Sequence, residues 1–418
     1  MGSVPHLLVQ LVVILSVARL LALLLRGLGQ PPVIGEMVAG LMLGPIVFGA
    51  VAPGMHAWLF PHGQLAALEG LSQIGLVLFM FIVGAELRAP DGVRKRLAAA
   101  GWVGVLGVLL PMALGLAIAP YLHARLAPVG VGFWPFALFM AASMAITAFP
   151  IMARILKERG MTRSALGQLA LASAAIADVF AWLMLALVVA LINPHGGWTG
   201  FVRTLGGLAA IALIGFGVLR PLLARLLARH AADGRPSGAV LSLLLIGTCA
   251  MAAATEWLGL HAVFGAFLFG ACLPRDNRLL EILIERIEHI AVLMLMPVFF
   301  ALAGLATTPD AFASGGLLAL LLIMAAAVLG KVLGAGGGAR IAGLGWRESF
   351  AIGSLMNARA LMELIVMKVG LDAGVIGREL FTMLMVMAIV TTLMTTPMLS
   401  LCLRGARSTA NSATTSAG

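Results

Sequence analysis

The chain has 418 residues, of which 61% are hydrophobic and 11% are Asp, Glu, Lys or Arg. Soluble domains carry about 25% charged residues, so the composition excludes a soluble protein and points to an all-α polytopic membrane protein. The net charge of +10 falls in small clusters at the ends of apolar runs, with no basic domain. That distribution excludes nucleic acid as a partner and makes the lipid bilayer the partner instead.

About thirteen transmembrane helices are predicted on the roughly 20-residue requirement of a bilayer core. In chain order they cover 6–25, 32–50, 68–87, 97–121, 132–156, 164–192, 200–229, 238–258, 261–273, 287–306, 314–339, 347–369 and 376–403. The first run lacks the basic leading region of a signal peptide and carries Arg19, so it reads as a span. Residues 261–273 are short for an ordinary crossing. The last residues, 408–418, are small and polar and are expected to be a disordered tail, with no soluble domain appended. Cys249, Cys272 and Cys402 lie singly in apolar segments, which shows neither a disulfide framework nor a metal motif.

Assigning alternate connections to one side puts 20 Lys and Arg residues there, among them Arg26, Arg88, Arg96, Arg159, Arg340 and Arg407, against 4 on the other. The bias places the N-terminus outside and the C-terminus in the cytoplasm. Short loops and the lack of a targeting sequence suit a bacterial cytoplasmic membrane.

A faint repeat accompanies this topology. "VIGEMVAGLMLGP" at 33–45 resembles "VFGAFLFGACLP" at 263–274, and Phe79 and Gly84 are echoed by Phe299 and Gly304. Both matches lie seven spans apart, and an odd offset inverts orientation. Inverted repeats mark secondary transporters, whose sites lie where corresponding broken helices meet. The same offset pairs the span at 132–156 with the span at 347–369. In the first, Pro150 of "ITAFP" lacks an N–H and disfavours helical geometry at Phe149. In the second, "SLMNARALMEL" brings Asn357, Arg359 and Glu363 into the membrane. Two discontinuous helices are the expectation.

An ionisable residue at the centre of a membrane helix costs roughly 3 kcal/mol on insertion scales and marks a cavity or a partner. Asp178 stands alone mid-span, with no charged residue nearer than Arg163 or Arg203. It is either half of a structural salt bridge, with Lys331 or Arg359, or a site that holds a proton or a monovalent cation by turns. Lys331 lies within the span at 314–339 and is followed by Gly334, Gly336, Gly337 and Gly338. Its depth calls for a partner, although span-end lysines also snorkel. Arg359 and Glu363, at i and i+4, read as a stabilising pair beside the break. Thr147 and Ser173 are candidate hydroxyl ligands, but a membrane-helix hydroxyl commonly bonds its own i−4 carbonyl. Glu36, Glu86, Glu256 and His261, near span ends, are expected to be solvated or hydrogen-bonded.

The stretches "QPPVIGEMVAGLMLGP" (30–45), "GLVLFMFIVGAEL" (75–87), "ITAFPIMARIL" (146–156), "AAIADVFAW" (174–182), "HAVFGAFLFGACLP" (261–274), "LMPVFFALAGL" (295–305) and the run from Ser354 to Leu371 resemble the monovalent cation:proton antiporter-2 family. The resemblance covers residues 5 to 403 and implies a sodium/proton antiporter-like fold and secondary exchange of Na⁺ or K⁺ for H⁺. It implies a homodimer, no resident cofactor, and an elevator-type motion of a core (97–192 and 314–403). The core would move past a dimerisation part (1–90 and 238–306), with 200–229 as linker. The family's ion-binding carboxylate falls on Asp178, its broken-helix ligands near Thr147, its membrane lysine on Lys331, and its polar residues of the second broken helix on Asn357 and Arg359.

One departure stands out. Many members have two polar residues in tandem where this chain has Ala177-Asp178. The lysine's acidic partner in the Asp-Asp members is therefore missing. Lys331 is then expected to turn to Asp178, and one titrating carboxylate predicts electroneutral exchange. The competing readings are a sodium-coupled organic-anion carrier of similar architecture and a membrane scaffold or sensor that lost exchange. No metal cluster, phosphate loop or nucleophile–base pair favours an enzyme.

Overall fold

A bilayer offers the backbone no water, so each crossing segment satisfies its own hydrogen bonds as a helix. The computed structural model of the chain describes all residues except 1–2, 62, 87–96, 163, 193–205, 208, 231–237, 259–261, 275–277, 314 and 416–418. Among the described residues there is no strand. Several basic residues of the charge count (Arg88, Arg94, Lys95, Arg96, Arg163, Arg203, Arg235, Arg275), together with His261, lie outside the described residues.

In chain order the helices are α1 (Ser3–Gly27), α2 (Pro32–Leu43), α3 (Ala66–Glu86), α4 (Leu97–Leu126), α5 (Phe133–Ala145), α6 (Phe149–Glu158) and α7 (Ala165–Ile192). They continue as α8 (Ala209–Arg229), α9 (Gly238–Trp257), α10 (Ala262–Ala271), α11 (Arg278–Ile290), α12 (Met296–Leu305), α13 (Gly316–Ile341), α14 (Trp346–Met356), α15 (Ala360–Asp372) and α16 (Arg378–Thr415). A π-helical turn at Ala291–Leu295 joins α11 to α12, and another lies within α8 at Gly215–Leu219.

Among the described residues, nine helices are long and apolar enough to cross a membrane by length and composition. Of the other predicted spans, those at 132–156 and 347–369 are interrupted and that at 261–273 is a ten-residue helix, while that at 164–192 is the continuous 28-residue α7. The span predicted at 32–50 is matched by a candidate crossing over 32–51, within which α2 ends at Leu43 because Pro45 follows Gly44 and disfavours helix there. Short helices at Phe48–Val51 and Pro53–Leu59 take up the chain beyond it. At the other end, α16 runs through 408–415, where a disordered tail was the expectation. A preformed helix lowers the cost of adding turns, and Ala410 and Ala413 are good helix formers.

The chain divides into two compact units. The first comprises 1–19, 39–88 and 186–305. Its apolar centre joins Leu11, Ile14, Leu43, Leu68, Val298 and Ala301, and Gln10 Nε2 donates to Leu59 O at 2.7 Å. Two glycine contacts give it its closest packing. Gly304 of α12 lies on the backbone of α2 at Gly40, and Gly270 of α10 lies on the backbone of α3 at Phe81 and Gly84. In the sequence repeat Gly40 matches Gly270 and Gly84 matches Gly304. Each contact is therefore the counterpart of the other, which is what an inverted repeat folded about a pseudo-two-fold axis produces.

The second unit comprises 20–38, 89–185 and 306–418. Here α13 lies against α4, with Gly330, Gly334 and Gly338 on the backbone at Pro111, Leu106 and Trp102. This four-residue spacing of glycines lets two membrane helices approach closely. The contact fixes the height of Lys331, one residue after Gly330. The unit also contains both interrupted helices. The first breaks at 146–148, between α5 and α6, and the second at 357–359, between α14 and α15.

Candidate ion-binding site

The two breaks lie against each other. Ala148 N donates to Ala358 O at 2.9 Å, and Thr147 Oγ1 approaches Met356 O at 3.4 Å. At Ile146 the backbone is extended, with φ −64° and ψ 140°. Pro150 has no N–H for the Ile146 carbonyl, and its ring crowds that oxygen. Phe149, where the sequence disfavours helix, is instead the first residue of α6. Each break leaves a helix C-terminus whose last carbonyls have no partner within the helix and carry partial negative charge. In a membrane those carbonyls need donors.

At the first break, Lys331 and Arg359 supply them. The Lys331 ammonium donates to Gly107 O at 2.9 Å, to Thr147 Oγ1 at 2.7 Å, and to Ala145 O. Those three bonds use all three of its donors. Arg359 Nη1 donates to Ser143 O at 3.0 Å and Nη2 to Ala327 O at 3.2 Å. The same guanidinium faces Glu363, Nη1 to Oε2, at 3.6 Å. Both cations are fully buried, and both neutralise the C-terminal end of α5. The first break thus accounts for both cations: without them it would leave orphan carbonyls of α5 in the membrane.

Asp178 is 1% exposed, and among the described residues neither of its carboxylate oxygens has a hydrogen-bond partner. The structure corrects the expectation that Lys331 turns to Asp178, because Gly107 O, Ala145 O and Thr147 Oγ1 already occupy its donors. Asp178 forms no salt bridge with Arg359 among the described residues either, since that guanidinium is held by Glu363 and two carbonyls. A buried acceptor left without a donor is costly, and such a group in a native protein calls for an occupant. The carboxylate can take a proton, or an ion in place of one.

The other candidate residues divide. Thr147 enters the network through Lys331. Ser173 lies on the same helix as Asp178, but its Oγ donates to its own i−4 carbonyl, Leu169 O, at 2.8 Å. The Arg359–Glu363 pair forms as its spacing predicts. Asn357 Nδ2 donates to Thr391 O at 3.2 Å, while its Oδ1 is buried and unpartnered. Away from the site, Glu256 accepts from Ala262 N at 2.7 Å and caps α10.

Sequence reasoning missed several partners. Thr392 Oγ1 accepts from Arg359 N at 3.3 Å, and Gly107, Ala145 and Ala327 contribute carbonyls. "TTLMTT" at 391–396 was the available signal for the threonines. Nothing in a sequence marks which carbonyls a break will free.

Comparison with known proteins gives a consistent picture. The family model described as "Sodium/hydrogen exchanger, transmembrane" matches residues 12–404. The chain is 37% identical to the Na(+)/H(+) antiporter NhaS4 of Synechocystis, covering 94% of this chain and 95% of that one. It is 35% identical to Cation/H(+) antiporter 17 of Arabidopsis thaliana, covering 95% of this chain and 48% of that one. With K(+)/H(+) antiporter 1 of Saccharomyces cerevisiae it shares 33% identity, over 94% of this chain and 46% of that one. The chain thus spans about half the length of the latter two relatives and nearly all of the first. The fold resembles that of the sodium proton antiporter MjNhaP1 from Methanocaldococcus jannaschii at pH 8, with a TM-score of 0.67 at 15% identity over 96% of this chain and 99% of that one.

Proposed function

This chain belongs to the transmembrane sodium/hydrogen exchanger family of monovalent cation:proton antiporters, multi-pass membrane transporters rather than enzymes, and on that premise we propose that it exchanges Na⁺ or K⁺ for H⁺ at Asp178. The observation that carries the assignment is the state of that side chain: buried, mid-helix, with both oxygens unpartnered, while each neighbouring cation is bound elsewhere. The carboxylate binds a proton or a cation, never both. Competition at one group therefore couples the two fluxes, provided the site opens to each side in turn. Alternating exposure comes from movement of the core, 97–192 and 314–403, the elevator-type step, in a homodimer with its C-terminus in the cytoplasm.

The stoichiometry follows from charge. Asp178 and Glu363 are balanced by Lys331 and Arg359, and the three acceptors around Lys331 call for the ammonium form. Loading Asp178 with a proton or with a monovalent cation leaves the same net charge on this group of residues. One-for-one exchange then moves no net charge per cycle. A sustained current, or a rate that follows membrane potential in sealed vesicles, refutes this.

The test is a cation pulse on proteoliposomes carrying a lumenal pH dye. Na⁺ or K⁺ is expected to drive proton movement with wild type and none above leak with Asp178→Asn. Exchange that survives in Asp178→Asn removes the assignment. Below the pH at which Asp178 releases its proton, simple competition also raises the half-saturating cation concentration about tenfold per pH unit. A half-saturating concentration independent of pH separates the proton site from the cation site.

A further inference from the structure

The second unit contains a cavity whose described lining includes none of Asp178, Thr147, Lys331 and Arg359. Its volume is about 580 Å³, and Arg26, Gln30, Pro32, Ile155, Arg159 and Thr396 line it. It lies where the end of α1, the turn into α2, the end of α6 and the later part of α16 come together. The charge count places all of these chain ends on the cytoplasmic side.

The wall is built. Gln30 Nε2 donates to Leu393 O at 3.2 Å and ties the α1–α2 turn to α16. Arg159 Nη2 donates to Thr396 O at 3.2 Å and to Ser400 Oγ at 2.8 Å, fixing the guanidinium against the same helix. Arg26 is exposed, and among the described residues no hydrogen bond or ion pair engages its side chain. Among the described residues, no carboxylate lines the space. α2 begins at Pro32, so the positive end of its dipole adds to the two guanidiniums.

A vestibule for cations has the opposite character: acidic side chains or carbonyls line routes for cations, and arginines line routes and sites for anions and phosphates. The volume is that of a pocket for a small organic ligand, which runs to about 300–1,000 Å³. Basic pockets between membrane helices at the cytoplasmic face suit phosphate-bearing headgroups. We propose that this cavity binds a phosphate group between Arg26 and Arg159, carried by an acidic phospholipid headgroup or free in the cytoplasm. Bound there, the ligand ties α1 and α2 to α6 and α16 and stabilises that arrangement of the helices. The site is independent of which cation the transporter carries.

The test is thermal unfolding of the purified, delipidated full chain in neutral detergent. Dihexanoyl phosphatidylglycerol, dihexanoyl phosphatidylcholine and inorganic phosphate are titrated in turn against wild type, Arg26→Gln and Arg26→Lys. Because Arg26 is exposed, the ligand-free midpoint is expected to be the same in all three. Phosphatidylglycerol raises the wild-type midpoint and phosphatidylcholine does not. Arg26→Gln weakens the apparent affinity about fivefold, and Arg26→Lys restores most of it. Stabilisation by phosphatidylglycerol alone identifies a lipid headgroup as the ligand; matching stabilisation by inorganic phosphate identifies free phosphate, and either result upholds the site. No stabilisation by either anion, or a response undiminished in Arg26→Gln, overturns it.

Discussion

The two compact units solve the same problem, packing helices in lipid, in opposite ways. The first brings backbone onto backbone, Gly304 on Gly40 and Gly270 on Gly84, around an aliphatic centre. The second interrupts two helices and fills the gaps with Lys331, Arg359 and Glu363, all fully buried. Hydrocarbon tolerates broken backbone only where donors and acceptors are supplied from within the protein. The first unit therefore gains rigidity without a buried charge among the described residues. The second accepts buried charge in order to hold one carboxylate, that of Asp178, without partners.

The contrast predicts a graded set of responses. The largest belongs to the first unit. Gly304→Leu places a side chain where the Gly40 backbone already lies, and no relaxation of a flexible neighbour relieves it. The expected outcome is loss of folded, monodisperse protein on size exclusion. Recovery of stable Gly304→Leu protein breaks the account of that unit. Next comes Glu363→Gln, which leaves the Arg359 charge without its opposite. Removing one partner of a buried pair costs about 3–5 kcal/mol, read as a lowered unfolding midpoint in detergent.

Asp178→Asn sharpens the comparison, because its two readouts diverge. Exchange disappears, yet the folded protein is expected to be as stable as wild type or more stable, by up to about 2 kcal/mol. A buried carboxylate without a partner opposes folding, and its removal relieves that cost. A large loss of stability shows that Asp178 holds the structure together instead. The smallest effect is that of Ser173→Ala, whose hydroxyl serves only its own helix; less than about 0.5 kcal/mol and nearly normal exchange are expected.

Much of this contrast can be read in the sequence, for physical reasons that differ by residue. Pro150 and the polar run at 357–363 announce the breaks, because proline chemistry and the cost of membrane charge are local properties. Asp178 is visible because nothing near it in the chain is charged. Of the partners of Lys331, Thr147 is visible as a hydroxyl and two are not. Those two are main-chain oxygens, that of Ala145 freed by a break and that of Gly107 brought close by the glycine contact between α4 and α13. A reading by side-chain type pairs a lysine with an acid and so assigns it to Asp178. The crossed glycine contacts were half legible: the repeat identified the four residues, but only the fold shows which touch.

Those contacts carry a consequence for the origin of the chain. Each one takes one glycine from the early segment and one from the late segment, so neither segment can bury its own helices alone. Two identical short polypeptides inserted in opposite senses would make both contacts at once, each acting as the other's mate. Cutting the present gene between the two segments should therefore yield pieces that fold only when made together, a complementation that re-creates an antiparallel pair from a single fused descendant.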